Sequence, residues 1–405
     1  MAQIVELAMV RRASTGDATV ARGRTDAAHV EGTKLPLTSV DIPDWRTLAD
    51  RAIEPNGYYL PDWELAVNAT APGRTDVSAL CAWSGDKLIG LMPVVPLARA
   101  ARIPLPALAS AHPYGTLCTP LLDRDEAENA AQRLLETARE NGARALLLRE
   151  VALDGAAMKA FNNVLRGEGL RTRVLNWHLR ASLDATRDAE ELLHEALSGK
   201  KLKELRRQRH RLGEHLGEHG DVAFDVARSP QQVATALEVF LKLEAGGWKG
   251  ERGTALAQVE GDAAFIRRAT PKLAETGTCE IVTLRAGDTP VAAGIVLRHQ
   301  ARAFFFKIGV DERFAKFSPG VQLTLELTRY LCADPTIASA DSTAAPDHPM
   351  INPIWRGRFA IGDVLVPLRP NDPVVALIHA ALTARSIARE TARGAVHAIR
   401  KLGKR

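Results

Sequence analysis

The sequence predicts a mixed α/β protein that is built from two similar halves. Strand-like and helix-like segments alternate along its 405 residues, which is the pattern of α/β and mixed folds. A chain of this length exceeds what one hydrophobic core usually organises, so two domains are expected. The third observation is a repeated hairpin signature, with Gly-Asp turns at Gly85 and Gly287, half a chain apart.

The first half is expected from residue 37 to residue 185, after a disordered tail over residues 1 to 36. The tail is rich in Ala, Thr, Gly and Arg and shows no sustained periodicity. In the first half, two strands flank the turn at Gly85, because Gly-Asp gives the backbone the freedom that a tight reversal needs. A helix that ends at Gly142 and a strand over 143–151 follow.

The second half, expected over residues 221 to 370, repeats this order of elements. A hairpin around Gly287 is followed by the aromatic strand "RAFFFKIGV", by a helix that starts after Ser318, and by a strand that contains Asp341. Two halves with the same order of elements indicate an internal duplication, although hairpins with Gly-Asp turns are common and chance similarity remains an alternative.

Two basic segments accompany the halves, one between them (186–220) and one after them (371–405). The net charge is +5, yet Lys200 to Arg211 alone holds seven Lys or Arg residues against one Glu. We expect both segments to be helical, the first with an apolar stripe. Solvated helix faces, an acidic glycan, RNA and an anionic membrane surface all remain open as explanations, the last chiefly for the C-terminal helix.

Composition narrows the class of protein. No uninterrupted apolar run is long enough to span a bilayer, and the first residues lack the apolar core of a secretory signal. The four cysteines are widely separated and form no CxxC pair, which is typical of free thiols in a reducing compartment. We therefore expect a cytoplasmic protein, with membrane attachment from the periphery as an alternative, and we predict no metal site.

The segment from Arg313 to Gly320 has the features of an anion site at a helix start. Ser318 suits the N-cap, Pro319 suits the first helical position, and Gly320 allows close approach of a ligand to the backbone. Unpaired N–H groups and the positive dipole end would attract a phosphate, with Arg313 and Lys316 nearby. Ordinary helix capping with solvated cations is the alternative.

The stretch from Asp221 to Val366 resembles the acetyltransferase-like domain of the CelD and FemAB-related group in the GNAT superfamily. The resemblance rests on "LEAGGWKGERGTAL", on "FKIGVDERFAKFSPG", and on Asp341 with the later Trp355. The first half is similar to that group's degenerate partner domain through "YYLPDWELAV" and "GDKLIGLMPVVPL". The implied fold is a tandem of GNAT-like (acyl-CoA N-acyltransferase) domains, each with a mixed central sheet flanked by helices.

The resemblance also implies a donor and the residues that hold it. Acetyl-CoA or another acyl-CoA would be the co-substrate, with its pyrophosphate on the loop before the helix. The matching residues are Arg313, Lys316, Phe317, Ser318, Pro319, Gly320 and Val321. An acceptor-side wall is implied at Trp248, Lys249 and Arg252, with Lys307 and Trp355, although a helix C-cap at Gly246-Gly247 and a strand end at Lys307 explain these positions equally simply.

Asp341 and His348 are the acid/base candidates, because acyl transfer needs a group that takes a proton near neutral pH. The implied activity is acyl transfer to an amine or hydroxyl of a small molecule or glycan, in polysaccharide or cell-envelope biosynthesis. Two alternatives stay open: transfer from aminoacyl-tRNA, and a non-catalytic accessory role in exopolysaccharide synthesis of the cellulose type. The accessory role is favoured by Ile351-Asn352, which replace the Tyr-Lys pair of many relatives.

Overall fold

The computed structural model describes residues 32–216 and 222–402. The strands, numbered β1 to β13 in chain order, are Gly32–Pro36, Ser78–Ser84, Lys87–Pro96, Ala107–Ser110, Leu121–Leu122, Ala145–Ala152, Arg173–Asp184, Val222–Ala227, Cys279–Ala286, Thr289–His299, Arg302–Val310, Ser339–Asp341 and Gly357–Pro367. The helices, α1 to α12, are Ile42–Asp50, Pro61–Thr70, Leu97–Ala101, Ala127–Glu140, Ala156–Gly167, Ala189–Ala196, Gly199–Leu216, Pro230–Gly246, Trp248–Glu251, Glu260–Ala274, Pro319–Cys332 and Pro373–Leu402.

Within these ranges the thirteen strands form one sheet with a near-symmetric order. The order is β1-β2-β3-β4-β6-β13-β7-β12-β11-β10-β9-β8, and β5 pairs with β3. On each side, antiparallel strands lead inward to one parallel pair, β4 with β6 and β11 with β12. β7 and β13 lie between the two parallel pairs. The expected mixed α/β fold, with a large mixed sheet flanked by helices, is therefore confirmed.

Both hairpins form where the Gly-Asp turns predict them. β2 pairs with β3 and β9 pairs with β10, each in antiparallel register. Gly85 and Gly287 have φ angles of 58° and 55°, in the left-handed region that glycine enters without steric cost. The helix before Gly142 and the strand after it also form, as α4 and β6.

The sheet does not divide between the two halves. β13 follows the second half in the chain, yet it pairs with β6 and β7 of the first half. The described residues thus form one compact unit joined by a continuous sheet. The boundaries at 37–185 and 221–370 remain predictions about sequence units, whereas hydrogen bonding crosses between those units.

The segments that flank the two halves differ in part from expectation. The expected tail lies outside the described residues except for Gly32–Pro36, which pair with β2 as β1. The connecting segment is two helices, α6 and α7, because Leu197 is extended at φ −125° and ends the first. Its leucine stripe does face the core through Leu193, Leu202, Leu205 and Leu212.

Among the described residues, none of the helices has both the length and the apolar character required to cross a membrane.

One core cluster draws on both halves. α1 and α2 from the first half and α8 and α10 from the second pack together against one face of the sheet. Tyr58 meets Phe304 of β11 edge to face, with ring centroids 5.7 Å apart. Trp63 of α2 meets Phe265 of α10 at 5.1 Å. Burial of these rings makes the halves mutually dependent for stability.

We expect Phe304→Ala to lower the free energy of unfolding by about 3–5 kcal/mol, because the side chain is fully buried and a cavity would remain. Urea unfolding followed by tryptophan fluorescence and by far-UV circular dichroism should show coincident transitions that shift together. Ile387→Ala, at a side chain that is 59% exposed, is the control and should change stability by less than about 0.5 kcal/mol. Separate transitions for the two halves would contradict a shared core.

Candidate functional site

The sheet opens between β11 and β12. Their parallel pairing covers Arg302 to Phe304 against Ser339 to Asp341 and then stops, while β11 continues to Val310. The second part of β11 therefore has one edge without a partner strand among the described residues. Peptide groups on such an edge need side chains, water or a ligand as hydrogen-bond partners.

A β-bulge shapes β11 at this opening. Val296 of β10 faces Phe305, whereas Ile295 faces Lys307, so Phe306 is an extra residue in the pairing. Bulges bend a strand and redirect its side chains, and they are frequent beside active sites. The hydroxyl of Thr343, which follows β12, donates to the Phe305 carbonyl at 2.7 Å and ties the bulge to the far side of the opening.

The lysine that follows the bulge belongs to a buried ionic cluster. Glu244, near the end of α8, is 2% exposed, and its Oε1 lies 3.0 Å from Lys249 Nζ and 3.5 Å from Lys307 Nζ. Its Oε2 accepts from the Leu256 amide at 2.9 Å. Lys249 Nζ also donates to the Ile308 carbonyl at 3.3 Å. The Glu244 carboxylate thus pairs with Lys307 of β11 and with Lys249, which contacts the same part of that strand.

Burial lowers the pKa of Lys307, and the Glu244 carboxylate opposes that shift. The same two influences act on many catalytic lysines, since desolvation disfavours the ammonium form. Lys307 is therefore a group whose proton is held less tightly than that of an ordinary lysine.

His348 lies half-buried in the loop after β12. Its Nδ1 accepts from the amides of Met350 and Ile351, both at 3.4 Å. Burial, with a smaller contribution from the Lys249 charge, lowers the pKa of His348. The imidazole is therefore mostly uncharged at neutral pH, and its unprotonated nitrogen is Nδ1, whose two amide contacts are long. His348 stays a candidate base through Nδ1.

The first half supplies one wall near this cluster. The Tyr114 hydroxyl donates to Asp262 Oδ2 of α10 at 2.5 Å. The Lys307 ammonium lies 6.0 Å from the Tyr114 ring centroid, and the Arg74 guanidinium carbon lies 4.5 Å from it. An aromatic ring between two cations is favourable through its negative faces. Both halves thus contribute groups to the surroundings of Lys307.

Asp341 is not placed as a catalytic base, contrary to the sequence-based expectation. It is 1% exposed, and its Oδ2 accepts a hydrogen bond from Arg180 of β7. Its Oδ1 accepts from the Thr343 amide at 2.8 Å. Arg180 in turn donates to the Thr116 carbonyl at 2.6 Å. A carboxylate that is buried and paired in this way holds the two halves together and does not meet an acceptor.

Trp355 is likewise not a substrate-binding residue in this structure. The side chain is fully buried, its Nε1 donates to the Thr328 hydroxyl at 2.9 Å, and its ring lies 6.2 Å from that of Phe305. It fills the core between α11 and the sheet. The expected role of Trp355 in ligand binding rested on the resemblance. Burial of a large apolar ring beside a helix stabilises the fold, and this accounts for its position.

The expected anion site lies at the other end of the opening, at the start of α11. Ser318 precedes the helix, but at φ 55° its side chain makes no capping hydrogen bond, which corrects the expected N-cap contact. Pro319 takes the first helical position. Among the described residues, no acceptor pairs with the amides of Gly320 and Val321. Two amide donors therefore remain at the helix start, as a phosphate would require.

Gly320 is in close contact with its neighbours. A methyl group added there would lie 3.0 Å from Met350 Sδ and 3.2 Å from Val310 Cγ2. A ligand that approaches Gly320 from the side of its missing Cβ meets Met350, which is partly exposed and has a flexible side chain. The residues fit a diphosphate group in their donors and in their lack of a side chain at position 320.

The remaining expected ligand residues are exposed, with two exceptions: Phe317 is buried, and the side chain of Trp248 is not described. Arg313 is exposed and paired with Asp311, their closest atoms being 2.7 Å apart, and Lys316 is exposed with its ammonium 4.8 Å from the Phe317 ring centroid. Phe317 is buried in the core. Arg252 is exposed at the end of α9. Trp248 begins α9, and its side chain lies outside what the structure describes.

Sequence reasoning missed Glu244, Tyr114, Asp262 and Arg180. One signal for Glu244 was available, because it continues the apolar stripe of α8 after Val233, Leu237, Phe240 and Leu241. An acid on the buried face of a helix requires a cationic partner. The contact of Tyr114 with Asp262 joins residues 148 positions apart, and no local pattern indicates it.

We expect Glu244→Gln to lower the free energy of unfolding by about 2–4 kcal/mol at pH 7, because two largely buried lysines lose their counter-charge. The loss should shrink at alkaline pH. The pKa of Lys307 is lowered in the folded protein. At alkaline pH the unfolded chain therefore binds more protons than the folded chain, and the free energy of unfolding rises with pH. Urea unfolding from pH 7 to pH 10 measures this.

The matched control is Glu238→Gln in the same helix, whose partner Arg267 is about half exposed. An exposed pair of this kind contributes about 0–1 kcal/mol. Equal destabilisation by the two substitutions would show that Glu244 does not hold buried charges.

Comparisons with known proteins show which domain and which fold the chain is similar to. Residues 199–347 match the family model described as the acetyltransferase (GNAT) domain. A search of curated proteins found no significant relative by sequence. FemX shares the fold with a TM-score of 0.53 at 12% identity, over 85% of this chain and 99% of FemX.

A second solved structure with this fold is the C-terminal domain of a putative lysylphosphatidylglycerol synthetase from Agrobacterium fabrum. Its TM-score is 0.51 at 15% identity, over 84% of this chain and 95% of that domain. At such identities the likeness shows the fold alone. The opening between β11 and β12 lies within the matched residues. Residues 199–347 are therefore similar to the acetyltransferase (GNAT) domain, and the chain as a whole shares the fold of FemX.

Proposed function

We propose that this chain is an acyltransferase that passes an acyl group from acyl-CoA to an amine or hydroxyl acceptor. The observation that carries the proposal is the arrangement around the opening. Unpaired amides at the start of α11 lie at one end, and the buried ionic cluster of Glu244, Lys249 and Lys307 lies on the wall formed by α8. A donor and an acceptor can meet between them.

On the donor side, the amides of Gly320 and Val321 would hold the diphosphate, with Lys316 as the nearby exposed cation. The unpaired edge of β11 offers peptide groups to an extended ligand, as exposed strand edges do. Acyl-CoA would supply the thioester carbonyl that the acceptor attacks. Backbone N–H groups along that edge are suited to stabilise negative charge on this carbonyl oxygen.

On the acceptor side, His348 is proposed as the base. Its lowered pKa keeps the imidazole neutral, and Nδ1 would exchange its two long amide contacts for the proton that an amine or hydroxyl loses as it attacks. Lys307 and Lys249 would orient the acceptor by hydrogen bonds, since Glu244 fixes both ammonium groups. Holding donor and acceptor together in this orientation would raise the reaction rate, because the two groups no longer have to meet by diffusion. The proposed acceptor is a small molecule or a glycan precursor of the cell envelope.

We expect acetyl-CoA and free CoA to raise the melting temperature of the protein, because a ligand that binds only the folded form stabilises it. At a concentration one hundred times the dissociation constant the gain is about 2.7 kcal/mol. Gly320→Glu should abolish the rise, since a carboxylate would occupy the proposed diphosphate position. Thermal shift measurements with and without CoA check this directly.

Gly167→Glu is the matched control, because nothing lies within 4 Å of a methyl group added at Gly167. Lys316→Glu is a second variant at an exposed position, where folding is safe, and it should weaken CoA binding by about tenfold. If CoA stabilises Gly320→Glu as well as the parent, the assignment of the helix start is wrong. Stabilisation by no form of CoA would favour the non-catalytic accessory role.

A second candidate is transfer from aminoacyl-tRNA, favoured by the position of α7. Gln322 of α11 donates to the Leu205 carbonyl of α7 at 2.7 Å, and His215 lies 5.7 Å from Phe317, centroid to centroid. α7 thus packs beside the proposed diphosphate site. Its outer face exposes cations that a nucleic acid backbone would contact, namely Lys200, Lys201, Lys203, Arg206, Arg207 and Arg211.

We expect aminoacyl-tRNA to leave the melting temperature unchanged, because the main proposal assigns the site to acyl-CoA. The opposite result would support the second candidate if tRNA binding also weakened when Lys200, Lys201 and Lys203 were replaced by Glu. The salt dependence of binding should then fall by about one unit per lost phosphate contact. A triple Glu variant at exposed Lys34, Arg171 and Arg173 is the control.

A further inference from the structure

A small cavity in the first half is lined by three arginines. Its volume is about 210 Å³, and its lining includes Arg74, Arg99 and Arg149, together with His112. Within the part of the chain that the structure describes, no carboxylate lines this cavity. We call it the arginine pocket. Three guanidinium groups around one cavity repel one another unless an anion lies between them.

The arginine pocket lies in the first half at the position that corresponds to the opening in the second half. β4 and β6 form the other parallel pair of the sheet, and their pairing stops after Ala109 and Leu147. The pocket lies directly beyond, where Ala111 and Arg149 line it. Each half therefore has a cavity or opening where its parallel strands part, and each is bordered by groups that favour anions.

The guanidinium groups of the pocket are not neutralised by the protein. The Arg149 side chain forms no hydrogen bond or ion pair with any residue that the structure describes. Arg99 donates to the carbonyls of Asp76 and Gly73, each at 3.3 Å. Arg74 donates to the Pro72 carbonyl at 3.2 Å, and its Nε is buried without a partner. Their charges remain available to a ligand.

Two titratable groups beside the guanidinium groups, His112 and Glu64, carry little charge of their own at neutral pH. Burial, with help from Arg149 and Arg74, lowers the pKa of His112 to about 3, so the imidazole is neutral. Its Nδ1 accepts from the Tyr114 amide at 3.1 Å, which places the ring proton on Nε2 as a donor. Burial raises the pKa of Glu64 to about 8, so this carboxyl near Arg74 is mostly protonated at neutral pH.

We propose that the arginine pocket binds the phosphate or diphosphate group of a small ligand, at a site separate from the start of α11. Arg149 would be the main anchor, because a guanidinium group matches phosphate oxygens in a bidentate manner. The volume suits an anionic group and is smaller than the pockets that enclose a whole drug-sized molecule. The proposal rests on the first half alone and stands whether or not the chain transfers acyl groups.

The test is titration of the full chain with inorganic phosphate and with pyrophosphate at constant ionic strength. The ring signals of His112 in a ¹H–¹³C spectrum report on the pocket itself, and His299, buried elsewhere, is the internal reference. We expect the His112 signals to move in a saturable manner. Arg149→Gln should weaken binding at this site about tenfold or more, which corresponds to about 1.4 kcal/mol.

Arg171→Gln, at an exposed position outside the pocket, is the matched control and should bind like the parent. Gly320→Glu should also retain the response of His112, because its effect is confined to the second half. The proposal is overturned if the His112 signals do not move, if Arg149→Gln binds as tightly as the parent, or if Arg171→Gln loses as much affinity. A folded Arg149→Gln is recognised by an unchanged His299 signal.

Discussion

The buried ion pair of Arg180 with Asp341 is the contact on which the architecture depends. Both side chains are almost fully buried, and they join β7 to the last residue of β12. Arg180 also donates to the Thr116 carbonyl, so a loop of the first half is tied to the same point. Removing one partner of such a pair leaves an uncompensated buried charge, which costs about 3–5 kcal/mol. The halves are therefore fixed where the sheet begins to open.

The opening and its chemistry follow from that fixed point. β12 ends at Asp341, while β11 continues with a bulge that Thr343 holds in place. The bulge brings Lys307 to Glu244 of α8, and the first half adds Tyr114 beside it. Groups that are locked by packing and hydrogen bonds need little rearrangement when a ligand binds. This explains how a rigid sheet can provide both a donor end and an acceptor end.

Local patterns in the sequence predicted the strands, turns and helices whose formation depends on residues close together in the chain. The two Gly-Asp hairpins, the aromatic strand β11 and the helix that starts at Pro319 all form as expected, because turn residues and apolar runs act over a few positions. The pairing of β13 with strands of the first half was not foreseen. That pairing joins residues about two hundred positions apart, and no local signal encodes it.

The site was predictable only in part for the same reason. The helix start near Gly320 is marked in the sequence by Pro319 at the first helical position, whereas the roles of Asp341 and Trp355 depend on the residues that surround them. Burial next to Arg180 makes Asp341 a structural anchor, and burial beside Thr328 makes Trp355 a core residue. Glu244 was overlooked because an acid within an apolar stripe was not treated as a sign of buried partners.

A crystal structure of the protein with bound CoA is the most direct test of the central claim. We expect the diphosphate oxygens to lie within hydrogen-bond distance of the Gly320 and Val321 amides, with Met350 displaced and the pantetheine arm along the free edge of β11. Density for CoA elsewhere, or a Met350 side chain that still covers Gly320 beside bound CoA, would contradict the account.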